Sequence, residues 1–515
     1  MDLIEAFDRQ GIGYILTHHE NTGAFMAAAV GRLDRVPGVV LVTKGPGVTN
    51  VATGVGSAHL DRAPLLLFSS HKSAPDDAKT ARQHIPAVRF YQPITKLSVA
   101  LTAANAHEVL PKAVRATMTG YLGPAYLPSL EPEQLKEMPL PVDELERLIE
   151  RGLDPEPVAV DEAALNAAAE VIARSRRLVV VAGPGVEAAG ASAAFVAAVE
   201  ALAGLVCVTP QAVGQIGADH PLYVGLTGWH DAAVDRLYEE ADLIVTVGLD
   251  GADVMIPHRK LPQVINLVPT SSDEDVYGPV SHVVRGELAA VLPAIAEKGR
   301  GRREWTTSTA AGIRATLERD VAVSAEHDEA DGMAPQAVVT QLRQATPRNT
   351  IFTCDVGAHK IVAGAVWKSY GPDTFFMSNG FGCMGYGLGT ALGAKLARPD
   401  QPVVSIVGDG GFLMYAGDLA TWARLGLPLT LIVMVDNDLT QVQRRQEQRG
   451  YSIASTTFDG VDYRAVAQSF GIDALRATDT AGLRAALETA IAANRPVVIE
   501  AMLDAQEYRR IPGWR

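Results

Sequence analysis

The sequence predicts an α/β protein built of three doubly wound parallel-sheet domains, on three observations. Short β-branched runs alternate with helical patterns along the chain, as βαβ units require. Glycine turns follow several of those runs directly, which marks strand-to-helix junctions. Two stretches, 131–161, rich in proline and acidic residues, and 298–333, which opens on GRGRR and closes on AEHDEADGM, read as solvated connectors with room for short helices and cut the 515 residues into three blocks of ordinary domain size. The domains expected are 1–131, 162–297 and 333–515.

In the first block a strand over Tyr14 to Leu16 runs into a polar turn and an alanine-rich helix, with Glu20 at the junction. A strand follows over Val39 to Thr43, then the turn Gly45-Pro46-Gly47, a small-residue helix from Asn50, and a strand over Leu65 to Phe68. Glu20 and the glycine turn belong at the carboxyl end of a parallel sheet, where open α/β sheets bind ligands. The middle block supplies strands at Arg177 to Ala182, LVCVTP, DLIVTVG and QVINLV, with a helix at ASAAFVAAVEALAG. In the third block the strand Val403 to Val407 enters Gly408-Asp409-Gly410-Gly411, and a helix over Phe412 to Leu425 stops at Gly426 and Pro428. The strand Leu429 to Val435 then ends at Asp436. Parallel strands end on one side, so Asp409 and Asp436 converge beside the N–H groups that open a helix. Such a pair suits a hard divalent cation bridging protein to phosphate.

Composition narrows the function classes. Hydrophobic residues make up 48% and charged residues 20%, the balance of a globular chain with large cores. A net charge of −14 opposes a general nucleic-acid or anionic-membrane surface, so neither is an expected partner. Cys207, Cys354 and Cys383 form no CxxC pair, which argues against a zinc site or disulfide framework and fits a reducing cytoplasm. No signal peptide or bilayer-spanning run is read in the sequence, and a cytoplasmic location is expected.

Six motifs, in order, carry a family resemblance: HHE at 18–20, GPGVTN at 45–50, QPITK at 92–96, DVGAH at 355–359, SNGFGCMGYGLGTALGAKLARPD at 378–400, and GDGG with VDN across 408–437. Together they make the chain resemble the thiamine-diphosphate enzymes of the acetolactate synthase and 2-keto acid decarboxylase type over nearly its whole length. The resemblance implies that 1–131 binds the cofactor's pyrimidine, that 162–297 is a central domain, and that 333–515 binds diphosphate and Mg²⁺. It further implies a cofactor lying across a subunit interface, hence a homodimer or homotetramer.

On that resemblance Glu20 hydrogen-bonds N1′ of the aminopyrimidine, and Gln83 lines the substrate pocket as a second catalytic-site residue. Gly47 and Asn50 meet the cofactor in the first block. Gly357, Ala358 and His359 form a turn against the diphosphate. Gly382 lies at the cofactor, and Met384 is the bulky residue that props its bent shape. Gly408, Asp409, Gly410 and Gly411 form the diphosphate loop, while Mg²⁺ takes the Asp409 and Asp436 side chains and the Asp438 backbone carbonyl. Many relatives have asparagine at the Asp436 position. A second register would use Asn437, and the ungapped spacing from Asp409 favours Asp436. His19, His71 and His84 approach the same crevice and are proton-shuttle candidates, although a surface or structural role is the ordinary reading of each. Arg445, within QVQRRQEQR, reads first as a solvated helix face and second as a clamp for an acceptor carboxylate.

The activity implied is a thiamine-diphosphate- and Mg²⁺-dependent carboligase resembling acetolactate synthase. It would decarboxylate a 2-keto acid such as pyruvate and add the enamine to a second carbonyl compound. Two alternatives stay open: a non-ligating 2-keto acid decarboxylase or aldehyde lyase, and a catalytically silent scaffold subunit. The second is kept because the sequence opens at the helix LIEAFDRQG, where relatives first have a strand and a glycine turn; either the start is misassigned or the first domain is expected to lack its first strand. VINLVPTSSD and DGADVMIP stand where the synthases hold flavin, and FAD is not expected.

Overall fold

The computed structural model describes residues 2–72, 82–153, 158–228, 232–253, 261–269, 280–324 and 327–511. Among them every strand pairing within the three sheets is parallel. The first sheet comprises β1 (Gly38–Val42), β2 (Leu65–His71), β3 (Leu97–Ser98) and β4 (Pro124–Leu130), in the order β1-β2-β4-β3. The second comprises β5 (Leu178–Ala182), β6 (Leu205–Val208), β7 (Tyr223–Leu226), β8 (Leu243–Val247), β9 (Gln263–Val268) and β10 (Val280–Arg285), in the order β10-β9-β8-β5-β6-β7. The third comprises β11 (Ile351–Cys354), β12 (Phe375–Met377), β13 (Val403–Gly408), β14 (Thr430–Val435), β15 (Asp473–Ala477) and β16 (Val497–Met502), in the order β12-β11-β13-β14-β16-β15. All six residues of β14 are buried, which is why its sequence TLIVMV shows no polar alternation. In the third sheet the strand order reverses between β11 and β13, so a crevice opens beyond their carboxyl ends.

The chain divides into two compact units. One holds Met1–Glu156 with Gly380–Pro399 and Tyr415–Leu427; the other holds Pro157–Asn379, Asp400–Met414 and Pro428–Arg515. In the first unit the helix Glu20–Asp34 packs against the helix Tyr386–Ala397. The approach is close because glycines face it. A Cβ on Gly393 would lie 2.3 Å from the Met26 carbonyl oxygen, and one on Gly389 would lie 2.8 Å from Phe25 Cβ. Gly393→Leu must therefore force the two helices apart, and urea unfolding should show a loss of at least about 2 kcal/mol.

Two local expectations change. Tyr14 to Leu16 is not a strand: no described residue pairs with it, and Tyr14 and Leu16 are 60% and 68% exposed. A strand exists only through its ladder bonds. The helix expected over Phe412 to Leu425 is broken into Asp409–Met414, a 3-10 turn Ala416–Asp418, and Leu419–Leu425. The connectors hold helices, as their reading allowed, at Val142–Leu153 and Thr307–Asp320. The second of these packs Ile313 and Leu317 on the core. Among the described residues no helix is long and apolar enough to cross a membrane.

Candidate active site

In the first unit the site is built around the start of the helix Glu20–Asp34. His19 is its N-cap, its Nδ1 accepting from the Asn21 N–H at 3.1 Å. Asp418 holds the turn from the other side. Its carboxylate accepts from the backbone N–H of His18 at 2.8 Å and of His19 at 3.1 Å, and from the hydroxyls of Thr22 at 2.6 Å and Thr421 at 3.0 Å. Asn21 Oδ1 accepts from the Gly54 N–H at 2.7 Å, tying this helix to Ala52–Leu60. Glu20 is thereby set so that Asn50 Nδ2 donates to its Oε2 at 3.1 Å. Its other oxygen, Oε1, faces Gly47, where a Cβ would come within 3.5 Å.

Gln83 joins the same edge. It adopts a left-handed φ of 58° and lies against Gly45, where an added Cβ would meet Gln83 Cβ at 2.9 Å. His71, at the end of β2, and His84 have ring centroids 6.1 Å apart. Glu20, Gly47, Asn50 and Gln83 therefore gather at the carboxyl edge of the first sheet, with His71 and His84 beside them. His19 instead serves as a cap and packs edge-on against Tyr415, centroids 4.9 Å apart. Met384 is half-buried and belongs to the same unit. It sits between Gly382 at φ 70° and Gly385 at φ 80°, left-handed positions that favour glycine.

Asp418 is the residue that sequence reasoning missed, because its partner His18 lies 400 positions away. Asp418→Ala leaves four donors without their acceptor, two of them backbone N–H groups. We expect a stability loss of about 2–4 kcal/mol, read by denaturant unfolding, and a fall in kcat through displacement of Glu20.

The second unit carries a separate set at the carboxyl ends of β11, β13 and β14. Gly357, at φ 146°, precedes the helix Ala358–Val366. The His359 ring stands between two glycines: a Cβ on Gly357 or Gly408 would lie 2.6 or 3.1 Å from its Cε1. Burial, aided by the charge of Lys360, pushes His359 down to about 4, so its ring is neutral at pH 7. Its Nε2 is buried with no partner. Lys360, a buried cation that sequence reasoning also missed, donates to the Ser378 carbonyl at 3.0 Å and to Asn379 Oδ1 at 3.1 Å.

Asp409 is 2% exposed. Its Oδ2 accepts from the N–H groups of Asp436 at 3.1 Å and Asn437 at 2.6 Å, and its Oδ1 from that of Gly410 at 2.7 Å. Gly411 is buried in the short helix that Asp409 opens. Asp436 Oδ2 accepts from the Thr440 hydroxyl at 2.5 Å, and Oδ1 from the Asp438 N–H at 3.2 Å. Burial raises both carboxyls. Asp436, with the Asp409 charge as second cause, is pushed up to about 7. Asn437 is left-handed at φ 56°, and its Oδ1, like Asp438 Oδ1, is buried without a partner. Two buried like-charged carboxyls with orphaned oxygens beside them fit a hard cation. Arg445, in the helix Thr440–Gln448, is exposed. Its neighbour Arg444 is the more enclosed, with a guanidinium held below its usual value by burial and then by Arg445. The segments read for flavin fall partly on 254–257 and 270–273, outside the described residues.

Three family models match the chain in order. They are the N-terminal TPP binding domain of thiamine pyrophosphate enzymes at 1–90, the central domain at 165–295, and the C-terminal TPP binding domain at 355–501. The chain is 30% identical to the acetolactate synthase of Bacillus subtilis, over 98% of its own length and 88% of the relative's. It belongs to the thiamine pyrophosphate enzymes. Among other relatives of this thiamine pyrophosphate enzyme, the acetolactate synthase isozyme 2 large subunit of Escherichia coli is 28% identical, covering 98% of this chain and 91% of the relative. The probable 2-ketoarginine decarboxylase of Pseudomonas aeruginosa is 30% identical, covering 88% and 80%. The enzyme's Glu20 edge falls within the N-terminal match, and the residues from Gly357 to Asp438 fall within the C-terminal one.

Proposed function

We propose that this enzyme is a Mg²⁺- and thiamine-diphosphate-dependent carboligase resembling acetolactate synthase. It decarboxylates a 2-keto acid such as pyruvate and joins the remaining fragment to a second carbonyl compound. The observation that carries this reading is the end-to-end likeness to acetolactate synthases, on a chain that keeps both carboxylate edges. Bound thiamine diphosphate supplies the electron sink for breaking the carbon–carbon bond. Asp409 and Asp436 hold the cation, with the Asp438 carbonyl and the unpartnered Asn437 oxygen beside them. His359, neutral at pH 7, lines the same edge between Gly357 and Gly408. Glu20 keeps Oε1 free for the cofactor, because Asn50 occupies Oε2, and Gly47 leaves that approach open. Gln83 contacts substrate.

The working unit proposed is a homodimer or tetramer, as the family resemblance implies, with Glu20 and Asp409 of one cofactor site supplied by different chains. A cytoplasmic setting belongs to the same proposal, and three buried cysteines that form no disulfide agree with it. Plain decarboxylation is the second reading, favoured by the relative named a 2-ketoarginine decarboxylase. Incubation with pyruvate, Mg²⁺ and thiamine diphosphate, with products identified by mass spectrometry, separates the two. Acetolactate supports ligation, whereas acetaldehyde without acetolactate overturns it.

A further inference from the structure

We propose that His327, Asp504 and Glu507 form a second cation site, for a divalent transition metal of the zinc class, that fastens the connector before β11 to the turn that follows β16. The three residues come from two distant segments. His327 precedes the 3-10 turn Glu329–Asp331, and Asp504 and Glu507 open the 3-10 turn Ala505–Arg510 that follows β16. The segments already touch through backbone: the Met333 N–H donates to the Met502 carbonyl at 2.9 Å, and the Asp504 N–H to the Met333 carbonyl at 3.0 Å.

Their side chains are drawn together out of water. Those of His327 and Glu507 are 5% and 3% exposed, and that of Asp504 is 16% exposed. His327 Nδ1 lies 3.6 Å from Asp504 Oδ2 and 3.8 Å from Glu507 Oε1. Both distances are too long for hydrogen bonds. They match the spacing of neighbouring ligands each about 2.1 Å from one ion. One ligand atom from each residue lies within 4.8 Å of the others, the single such group among the described residues. The imidazole is thus buried and aimed at two carboxylates without a hydrogen bond to either, and its Nε2 is buried without a partner.

The far oxygens of the two carboxylates are fixed by other groups. Asp504 Oδ1 accepts from the Gln506 N–H at 2.9 Å, and Glu507 Oε2 from Gln336 Nε2 at 3.2 Å. That outer support leaves Asp504 Oδ2 and Glu507 Oε1 turned to the imidazole, as the surroundings of a metal site require. Arg510 Nε lies 2.8 Å from Glu507 Oε1, but its side chain is 51% exposed and turns to water when an ion takes its place. Two carboxylates against one guanidinium leave a net negative charge for the ion to offset. One imidazole nitrogen with two carboxylate oxygens selects zinc or a similar ion over Ca²⁺ or Mg²⁺, which take oxygen alone. Water completes the shell on the side where Asp504 is open.

The proposed Mg²⁺ site is near, since the charges of Asp436 and Asp409 both bear on Tyr508, the residue after Glu507, so the test must separate the two. Metal-free protein without thiamine diphosphate is titrated with Co²⁺ and Zn²⁺, as wild type, Asp409→Asn, His327→Ala and Glu507→Gln. Wild type and Asp409→Asn should both bind about one Co²⁺ with the intense visible absorption of a four-coordinate site, and Zn²⁺ should raise their Tm by about 2 °C or more. His327→Ala and Glu507→Gln should lose the band and bind at least 10-fold more weakly. If His327→Ala fails to fold, Glu507→Gln carries the comparison. The proposal is overturned if wild type shows no such band, if either ligand variant keeps it, or if Asp409→Asn alone abolishes it.

Discussion

Replacing Glu20 with glutamine lowers kcat by about 10²- to 10³-fold while leaving affinity for thiamine diphosphate within a few-fold of wild type. The amide matches the carboxylate in shape, and Asn50 Nδ2 still finds an oxygen acceptor where it now meets Oε2. The turn itself is held by Asp418 and His19, not by the Glu20 side chain, so the local structure survives. What is lost is the negative charge beside Gly47 and the capacity of Oε1 to favour a proton on a bound heterocycle. Steady-state kinetics at saturating cofactor, paired with a fluorescence titration of the cofactor, reads both quantities. Full activity in this variant would remove Glu20 from the mechanism.

Asp409→Ala should weaken Mg²⁺-dependent binding of thiamine diphosphate by more than about 100-fold, a loss of roughly 2.7 kcal/mol. The substitution removes one of two buried carboxylates. It also strips the N–H groups of Gly410, Asp436 and Asn437 of their acceptor, so the metal-free protein loses stability as well. Asp436 behaves differently. Its folded-state pKa, pushed up to about 7, lies above the unfolded value of about 4. The folded chain therefore holds this proton more tightly, and its contribution to metal-free stability fades as pH rises from about 4 to 7. Asp436→Asn should flatten that part of the profile, and thermal melts across the window, with and without Mg²⁺, measure it.

Much of this was legible in the residues. Apart from the edge strand β15, the strands of the third sheet are buried along nearly their whole length, so their apolar runs stand out from any pattern of alternation. The carboxylates that end β13 and β14 follow from parallel topology, because parallel strands present their carboxyl ends together. Asp418 was not legible, because nothing local distinguishes a carboxylate that caps a turn 400 positions earlier. The break at Tyr415 was hidden for a related reason: the apolar spacing continues through it, while Asp418 is bent away to hold the HHE turn. His327 lies in an acidic, small-residue stretch that reads as solvated linker. Only the fold brings Asp504 and Glu507 to it. Arg445 carried a charge suited to a substrate clamp, but helix spacing alone could not say that Arg444 is the enclosed member of the pair.

The most direct measurement is a calorimetric titration of thiamine diphosphate into metal-free protein, run once with Mg²⁺ and once with chelator. If the carboxylates at 409 and 436 anchor the diphosphate through a metal ion, saturable binding at about one per chain appears with Mg²⁺ and is at least about 100-fold weaker without it. Equal binding in the two runs, or no heat in either, would contradict the account.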